Sequence, residues 1–183
     1  MTITPDISLA YPDTDRNRES KMLRLRPYKH EDAATILSWS KDESAYYRWC
    51  AGVIGEYPAT EKEFEFVDAL MAFTAFDEDG TAGFFTFRNP GGELDVLRIG
   101  FVIVDPARRG KGQGKEMLRL ALKYAFEVYG AKKVTLGVFE NNEAAYHCYK
   151  AAGFKDVVLD ETETYSVMDE VWVCKEMEAE NDT

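Results

Sequence analysis

The sequence predicts one α+β domain built on a mixed, mostly antiparallel sheet with flanking helices. Three observations lead there. Two aromatic-rich runs flank the turn signal "DEDG", which reads as a hairpin. A continuous apolar run from Ile99 to Val104 suits a central strand buried on both faces. Directly after it, at "RGKGQGK", the pattern changes to the three-to-four spacing of a helix.

The elements follow in the order β-α-α-α-β-β-β-α-β-α-β-β. Residues 1–20 are polar with two prolines and are expected to be a loose tail, leaving one domain over 21–183. "MLRLRPY" alternates apolar and basic, so Met22 to Arg26 reads as a strand. "KHEDAATILSWSKDESAYYRWC" reads as helix in one or two pieces, its apolar face supplied by Ile36, Leu37 and Trp39. After the loop "AGVIGEYPA", Thr60 stands three residues before Glu63, the spacing of a capping box. The helix it opens should bury Phe64, Val67 and Leu70.

The hairpin comes next, then the strand "ELDVLRIGFVIVD". The long helix "KGQGKEMLRLALKYAFEVYG" presents Leu118, Ala121, Leu122, Ala125 and Val128 on one face, with Gly130 as its C-terminal stop. Val134 to Phe139 alternates as a strand. "NNEAAYHCYKAAGF" is a short helix between an asparagine cap and Gly153. "FKDVVLD" and "YSVMDEVWVCKEME" close the chain as two strands joined around "ETET".

Composition excludes several classes. The chain has 183 residues, 45% hydrophobic, which is globular rather than disordered composition. A net charge of -11 argues against nucleic acid as a partner. It favours solubility and tolerates cationic acceptors such as amines. The three cysteines, Cys50, Cys148 and Cys174, are odd in number and widely spaced, so neither a disulfide framework nor a metal site is expected. With no signal-peptide pattern and no apolar run of spanning length, the expectation is a cytoplasmic protein away from the membrane.

The glycine-rich turn carries the chemistry. Backbone N–H groups at a helix start lack intrahelical partners, and the helix dipole adds partial positive charge, so together they favour an anion. Glycine keeps side chains clear. Gly110, Gly112 and Gly114 thus describe a backbone cradle, and Arg108, Arg109, Lys111 and Lys115 concentrate positive charge there in an acidic chain. A pyrophosphate is a natural ligand. Two other phosphate motifs fail. A P-loop needs a hydroxyl after its lysine, where this chain has Glu116, and the glycine spacing is not that of a dinucleotide fingerprint.

"IVDPARRGKGQGKEML" resembles motif A of the GNAT superfamily, the GCN5-related N-acetyltransferases, whose signature Arg/Gln-x-x-Gly-x-Gly/Ala is matched by Arg109, Gly112 and Gly114. "NNEAAYHCYKAAGF" resembles the family's second block, with Asn142, Ala145, Tyr149, Gly153 and Phe154 in register. The likeness covers roughly Met22 to Met177. The opening "LRLRPYKHEDAATILSW" looks most like the ribosomal-protein N-terminal acetyltransferase branch.

The resemblance implies a sheet splayed between the central strand and the next, with acetyl-CoA as acetyl donor in the gap. Its pyrophosphate would lie on N–H groups of Arg109, Gly110, Lys111, Gly112, Gln113, Gly114 and Lys115. Its pantetheine would pair with Val102, Ile103 and Val104 as an added strand, and a backbone N–H there would polarise the thioester carbonyl. Asn142 would touch the cofactor as well as cap its helix. Tyr149 would give the leaving thiolate its proton, because a phenol is protonated at neutral pH. The acceptor would be a small amine or a peptide N-terminus, and a homodimer is a habit of the family.

The strand position where some relatives carry a basic glutamate is Arg98 here, so that role does not transfer. Glu93, Asp95, Glu56 or a water remain open as bases. A non-catalytic acyl-CoA-binding sensor or subunit is the alternative reading. His30 and His147 read as surface or packing residues. Tyr46, Tyr47, Trp49 and Tyr57 either line an acceptor pocket or lie in the core.

Overall fold

The computed structural model describes residues 22–181, so the expected tail at 1–20 lies outside the described residues. Strand β1 (Arg24–Pro27) leads through a 3-10 turn, His30–Asp32, into helix α1 (Ala33–Leu37). Helix α2 (Glu43–Cys50) is separate because Asp42 caps it, accepting from the Ala45 N–H at 2.7 Å. The capping box forms as expected at α3 (Glu61–Phe64), where the Glu63 carboxylate takes the Thr60 N–H at 2.7 Å. Only one α-helical turn follows the box. The rest is a 3-10 turn, Glu65–Ala69, and Met71 already belongs to a strand. Phe64 and Val67 are buried as expected, and Leu70 is half-buried.

Strands β2 (Met71–Asp77) and β3 (Gly80–Arg88) form the predicted hairpin, followed by β4 (Val96–Val104). Helix α4 (Gln113–Lys123) continues into a π-helical turn, Tyr124–Tyr129. That wider turn breaks the three-to-four register. Val128, placed on the buried face by periodicity, is instead 71% exposed. Strand β5 (Lys133–Phe139) and helix α5 (Glu143–Ala152) stand where expected.

The end of the chain differs from the two strands expected. It forms three: β6 (Lys155–Val157), β7 (Glu163–Val167) and β8 (Glu170–Glu180). The break falls at Met168–Asp169, both with positive φ, and Val167 pairs with Glu170. This two-residue turn carries neither glycine nor asparagine, so its sequence gives no turn signal.

Among the described residues the sheet has eight strands in the order β1-β2-β3-β4-β5-β8-β6, with β7 also on β8. Every pair is antiparallel except β4–β5. The parallel pair is short. It runs only from Val96↔Lys133 to Arg98↔Thr135, and beyond Arg98 the two strands part. Strand β4 also carries a bulge. The register moves from Thr86↔Gly100 to Phe84↔Ile103, and Phe101 sits at φ 50°. The expected splay is thus the V between β4 and β5.

Alternation divides the core. Phe85, Phe87, Leu97, Ile99, Val134 and Leu136 face α4 and α5. The opposite cluster holds Ile36, Trp39, Tyr46, Phe64, Phe84 and Ile103 under the early helices. One buried ionic knot ties those helices to the sheet. Asp32 accepts both Arg26 Nη atoms at 2.7 Å, the Lys29 N–H at 3.1 Å and the Thr74 hydroxyl at 2.9 Å. Burial alone would raise the Asp32 carboxyl. These partners outweigh it and hold it below the usual carboxylate range.

A depressed folded value gives stability that is complete above the ordinary carboxylate range and lost as pH falls through the lowered value. Asp32→Asn should therefore cost about 2–3 kcal/mol at pH 7, as expected for hydrogen bonds to a buried charge. In urea unfolding the gap to the parent protein should close below about pH 4. An unchanged gap at acid pH would rule out the charge as its source.

Candidate active site

A cleft of about 650 Å³ opens beside the far half of β4. Its floor is Val102, Ile103 and Val104. One wall is the glycine loop and start of α4, another is α5, and the roof comes from α2 and from Trp39 and Ser40 in the turn before it. Past Arg98, the edge of β4 facing β5 has no ladder partner, so its peptide groups are open to an extended guest. Val104 is a partial exception, because its carbonyl accepts from Arg109 Nε at 3.1 Å.

The glycine loop forms as its composition requires. Gly110 and Gly112 have φ of 74° and 79°, with open space where a Cβ would stand. Gly112 is the N-cap of α4. Gly114 has a different purpose. A Cβ there would lie 3.0 Å from Cys148 Sγ and 3.6 Å from Val104 Cγ2, so this glycine lets α4 approach α5 and β4. Arg109, Gly110, Gly112, Gln113, Gly114 and Lys115 all line the cleft.

Two basic residues of the loop do not join them. Lys111 is outside the lining, and its Nζ donates to the Ala107 carbonyl at 3.4 Å. Arg108 is neutralised by Asp77 at 2.6 Å, with Asp105 at 3.7 Å.

The second block faces the same space. Asn142 caps α5, accepting from the Ala145 N–H at 3.4 Å, and lines the cleft. Tyr149 is 8% exposed and lines it too. Burial pushes its phenol well above the ordinary tyrosine value, so it stays protonated at any working pH. His147, read as a surface or packing residue, is a lining residue as well.

The sequence reading did not reach Trp39, Ser40, Arg48 or Cys148. The spacing 45, 48, 49 on α2 was the available signal, since it puts Ala45, Arg48 and Trp49 on one helical face. Of the four aromatics left open, Trp49 lines the cleft, and Tyr46 is core. Tyr57 borders a smaller adjoining hollow, with Tyr46, on the far side of Ser40. Tyr47 packs in the cluster beneath the early helices. Glu93, Asp95 and Glu56 are all absent from the lining, and Asp95 is held by Lys132 at 2.7 Å.

Arg98 marks the apex of the V. Its two Nη atoms grip Glu176 on β8 at 2.5 and 3.1 Å, crossing Thr135 and Gly137. A Cβ on Gly137 would sit 3.0 Å from both Arg98 Nη2 and Cys174 Sγ, so the crossing needs glycine. Buried unpartnered polar atoms gather at the cleft. Five buried side-chain polar atoms of the described residues have no hydrogen-bond partner. Ser40 Oγ, Trp49 Nε1 and Gln113 Oε1, three of these five, belong to lining residues. Open cradle, unpaired strand edge and orphaned polar groups all fit an elongated, anionic guest.

The acetyltransferase (GNAT) family model matches residues 23–154, the whole stretch from β1 to the end of α5. This chain is a GNAT acetyltransferase family member. The spermine/spermidine N(1)-acetyltransferase of Bacillus subtilis is 38% identical over 83 residues, covering 45% of this chain and 47% of that protein. The mycothiol acetyltransferase of Rhodococcus erythropolis is 33% identical over 147 residues, covering 74% of this chain and 48% of that one. The chain therefore spans about half the length of these two curated relatives. Among solved structures, the spermidine N-acetyltransferase of Vibrio cholerae in complex with CoA and spermine superposes with a TM-score of 0.72 at 20% identity. That match covers 86% of this chain and 95% of that one. The GNAT fold expected from the two motif blocks is thereby borne out. The finer expectation, a ribosomal-protein branch, is corrected: the relatives found include polyamine and mycothiol acetyltransferases and not ribosomal-protein acetyltransferases.

The two glycines of motif A should separate by mutation. Gly112→Ala meets no atom but forces a left-handed alanine, costing about 1–2 kcal/mol. Gly114→Ala should be neutral or destabilising alone, and stabilising by about 0.5–1 kcal/mol once Cys148→Ala removes the sulfur, because alanine is the better helix former. Thermal denaturation of the four variants measures both. Additivity between Gly114→Ala and Cys148→Ala would disprove the packing role.

Proposed function

We propose that this chain is an acetyl-CoA-dependent N-acetyltransferase acting on a primary amine, with a polyamine of the spermidine or spermine class as acceptor. The observation that carries the reading is the open edge of β4, which leads from its bulge at Phe101 to the glycine cradle within one cleft. When bound there, acetyl-CoA supplies an activated acetyl group. Gly110, Gly112 and the first amides of α4 hold its pyrophosphate, and Val102 and Ile103 hold its pantetheine by strand pairing. A backbone N–H at the bulge polarises the thioester carbonyl, since a bulge leaves peptide groups outside the β3 ladder.

The reaction joins the amine nitrogen to the acyl carbon and breaks the carbon–sulfur bond. The nitrogen loses one proton and the sulfur gains one. Tyr149 sits in the cleft wall with its phenol protonated. It hands its proton to the departing sulfur. Burial makes a lasting tyrosinate costly, so the phenol is refilled by the proton the amine gives up. Among the described residues no carboxylate lines the cleft, so the acceptor arrives with its nitrogen already neutral or loses its proton to His147 or to water.

Support for a polyamine comes from the relatives named above and from charge. The cleft lining is basic and suits phosphates. The sheet face beyond Arg98 carries Glu163 near Cys174, where burial, Glu163 and Glu176 push the thiol up to about 11 against the charge of Arg98. Glu176 is itself paired with Arg98, so Glu163 is the acid left to meet a cation. A net charge of -11 gives a polycation a favourable approach.

Thiol release from acetyl-CoA with spermidine, spermine, a monoamine and a peptide tests the reading. The polyamines should give the highest kcat/KM. Calorimetric CoA binding without release for any amine would make the chain a non-catalytic acyl-CoA-binding module, and no binding at millimolar CoA would end the cofactor reading too. Tyr149→Phe should lower kcat about a hundredfold, in the range of general acid catalysis, with CoA affinity unchanged. The pH profile should keep its shape between pH 6 and 10, because the phenol does not titrate there.

A further inference from the structure

The charged side chains of the cleft are Arg48, Arg109, Lys115 and His147, all cations or a potential one. Three of the four belong to the loop and helix that the family motifs cover. Arg48 does not. It comes from α2, on the face it shares with Ala45 and Trp49, while Tyr46 and Cys50 anchor the opposite side in the core.

Arg26, Arg98, Arg108 and Arg119 each hold a carboxylate at 2.5–2.7 Å. Arg48 makes no hydrogen bond and no ion pair among the described residues. It is close enough to Arg109 for the two charges to repel: burial, with a smaller contribution from Arg48, lowers the Arg109 guanidinium from its ordinary value against the opposing charge of Asp105. Among the described residues, the Arg109 side chain holds the Val104 carbonyl and no carboxylate. Two guanidinium groups line one cleft that holds no acid among its described lining residues, although Asp105 lies within electrostatic reach of Arg109 from outside it; an anion would relieve what repulsion remains. Arg109 starts the glycine loop, so the anion belongs at the cradle and not at the bulge, where Trp49 packs on Phe101 with ring centroids 6.4 Å apart. The orphaned Ser40 Oγ and Trp49 Nε1 show that the same arm of the fold also offers polar groups with no protein partner.

We infer that Arg48 is a phosphate ligand, closing over the pyrophosphate from α2 on the side away from the glycine loop. The site takes a diphosphate-bearing nucleotide cofactor, and the inference rests on the acetyl-CoA reading above. Under it, α2 is the roof of the cofactor site as well as a wall for the acceptor. The other chemistry that two arginines recognise, a carboxylate on the acceptor, is separated by the test.

The test compares CoA, phosphate-free pantetheine and inorganic pyrophosphate by calorimetry on the parent chain, Arg48→Ala and Arg48→Lys. Arg48→Ala should weaken CoA and pyrophosphate about tenfold to a hundredfold, as for the loss of a charge-assisted hydrogen bond. Pantetheine should bind all three proteins alike, and Arg48→Lys should recover part of the loss. Because Arg48 has no hydrogen-bond or ion-pair partner among the described residues, the melting temperature without ligand should not fall, while the rise induced by CoA should shrink. Unchanged CoA affinity in Arg48→Ala overturns the inference. So does equal weakening of pantetheine, or an effect confined to the acceptor KM. If the parent chain itself binds no CoA, the functional reading fails, and pyrophosphate binding by the parent and Arg48→Ala proteins then decides the inference alone.

Discussion

Everything at the site depends on two strands that stop pairing. β4 and β5 share three register positions and then part at Arg98 and Thr135. A parallel ladder that continued would satisfy the peptide groups of Val102 and Ile103 and leave no edge for a guest. Arg98 secures the point of parting. It reaches over Gly137 to Glu176, so the strands are tied at the apex by a bidentate ion pair while they diverge above it. The bulge at Phe101 adds local twist on the other edge of the same strand.

The motifs made the cofactor side legible. Glycines in the left-handed region, an asparagine cap and a glycine stop each have a local physical signature, and local signatures survive folding. The capping box at Thr60 and the hairpin at "DEDG" were readable for the same reason. What escaped was set by distance in the chain. Nothing near Arg48 in sequence says that α2 folds over a loop some 60 residues later, and nothing near Gly114 announces the sulfur of Cys148. Arg108 looks like part of a basic cluster until Asp77, from the hairpin, is seen to neutralise it.

Two misreadings came from backbone geometry that leaves no residue signal. The π turn after Lys123 rotates the helix so that Val128 faces water while Tyr124 stacks on Phe87 and packs on Phe73. The turn at Met168–Asp169 adopts positive φ without glycine or asparagine, splitting what reads as one strand into a hairpin. In both places tertiary packing overrides local preference, and periodicity counts stop being informative.

The ion pair between Arg108 and Asp77 has an engineering consequence. Asp77 ends β2 at the tip of a solvent-facing hairpin, the sort of turn usually selected for tags, dyes or inserted peptides. In this fold that tip is fastened at 2.6 Å to the turn that begins the glycine loop. A graft between Glu78 and Asp79 would tug on the loop, so a reporter placed there would sense the cradle instead of riding passively on the surface.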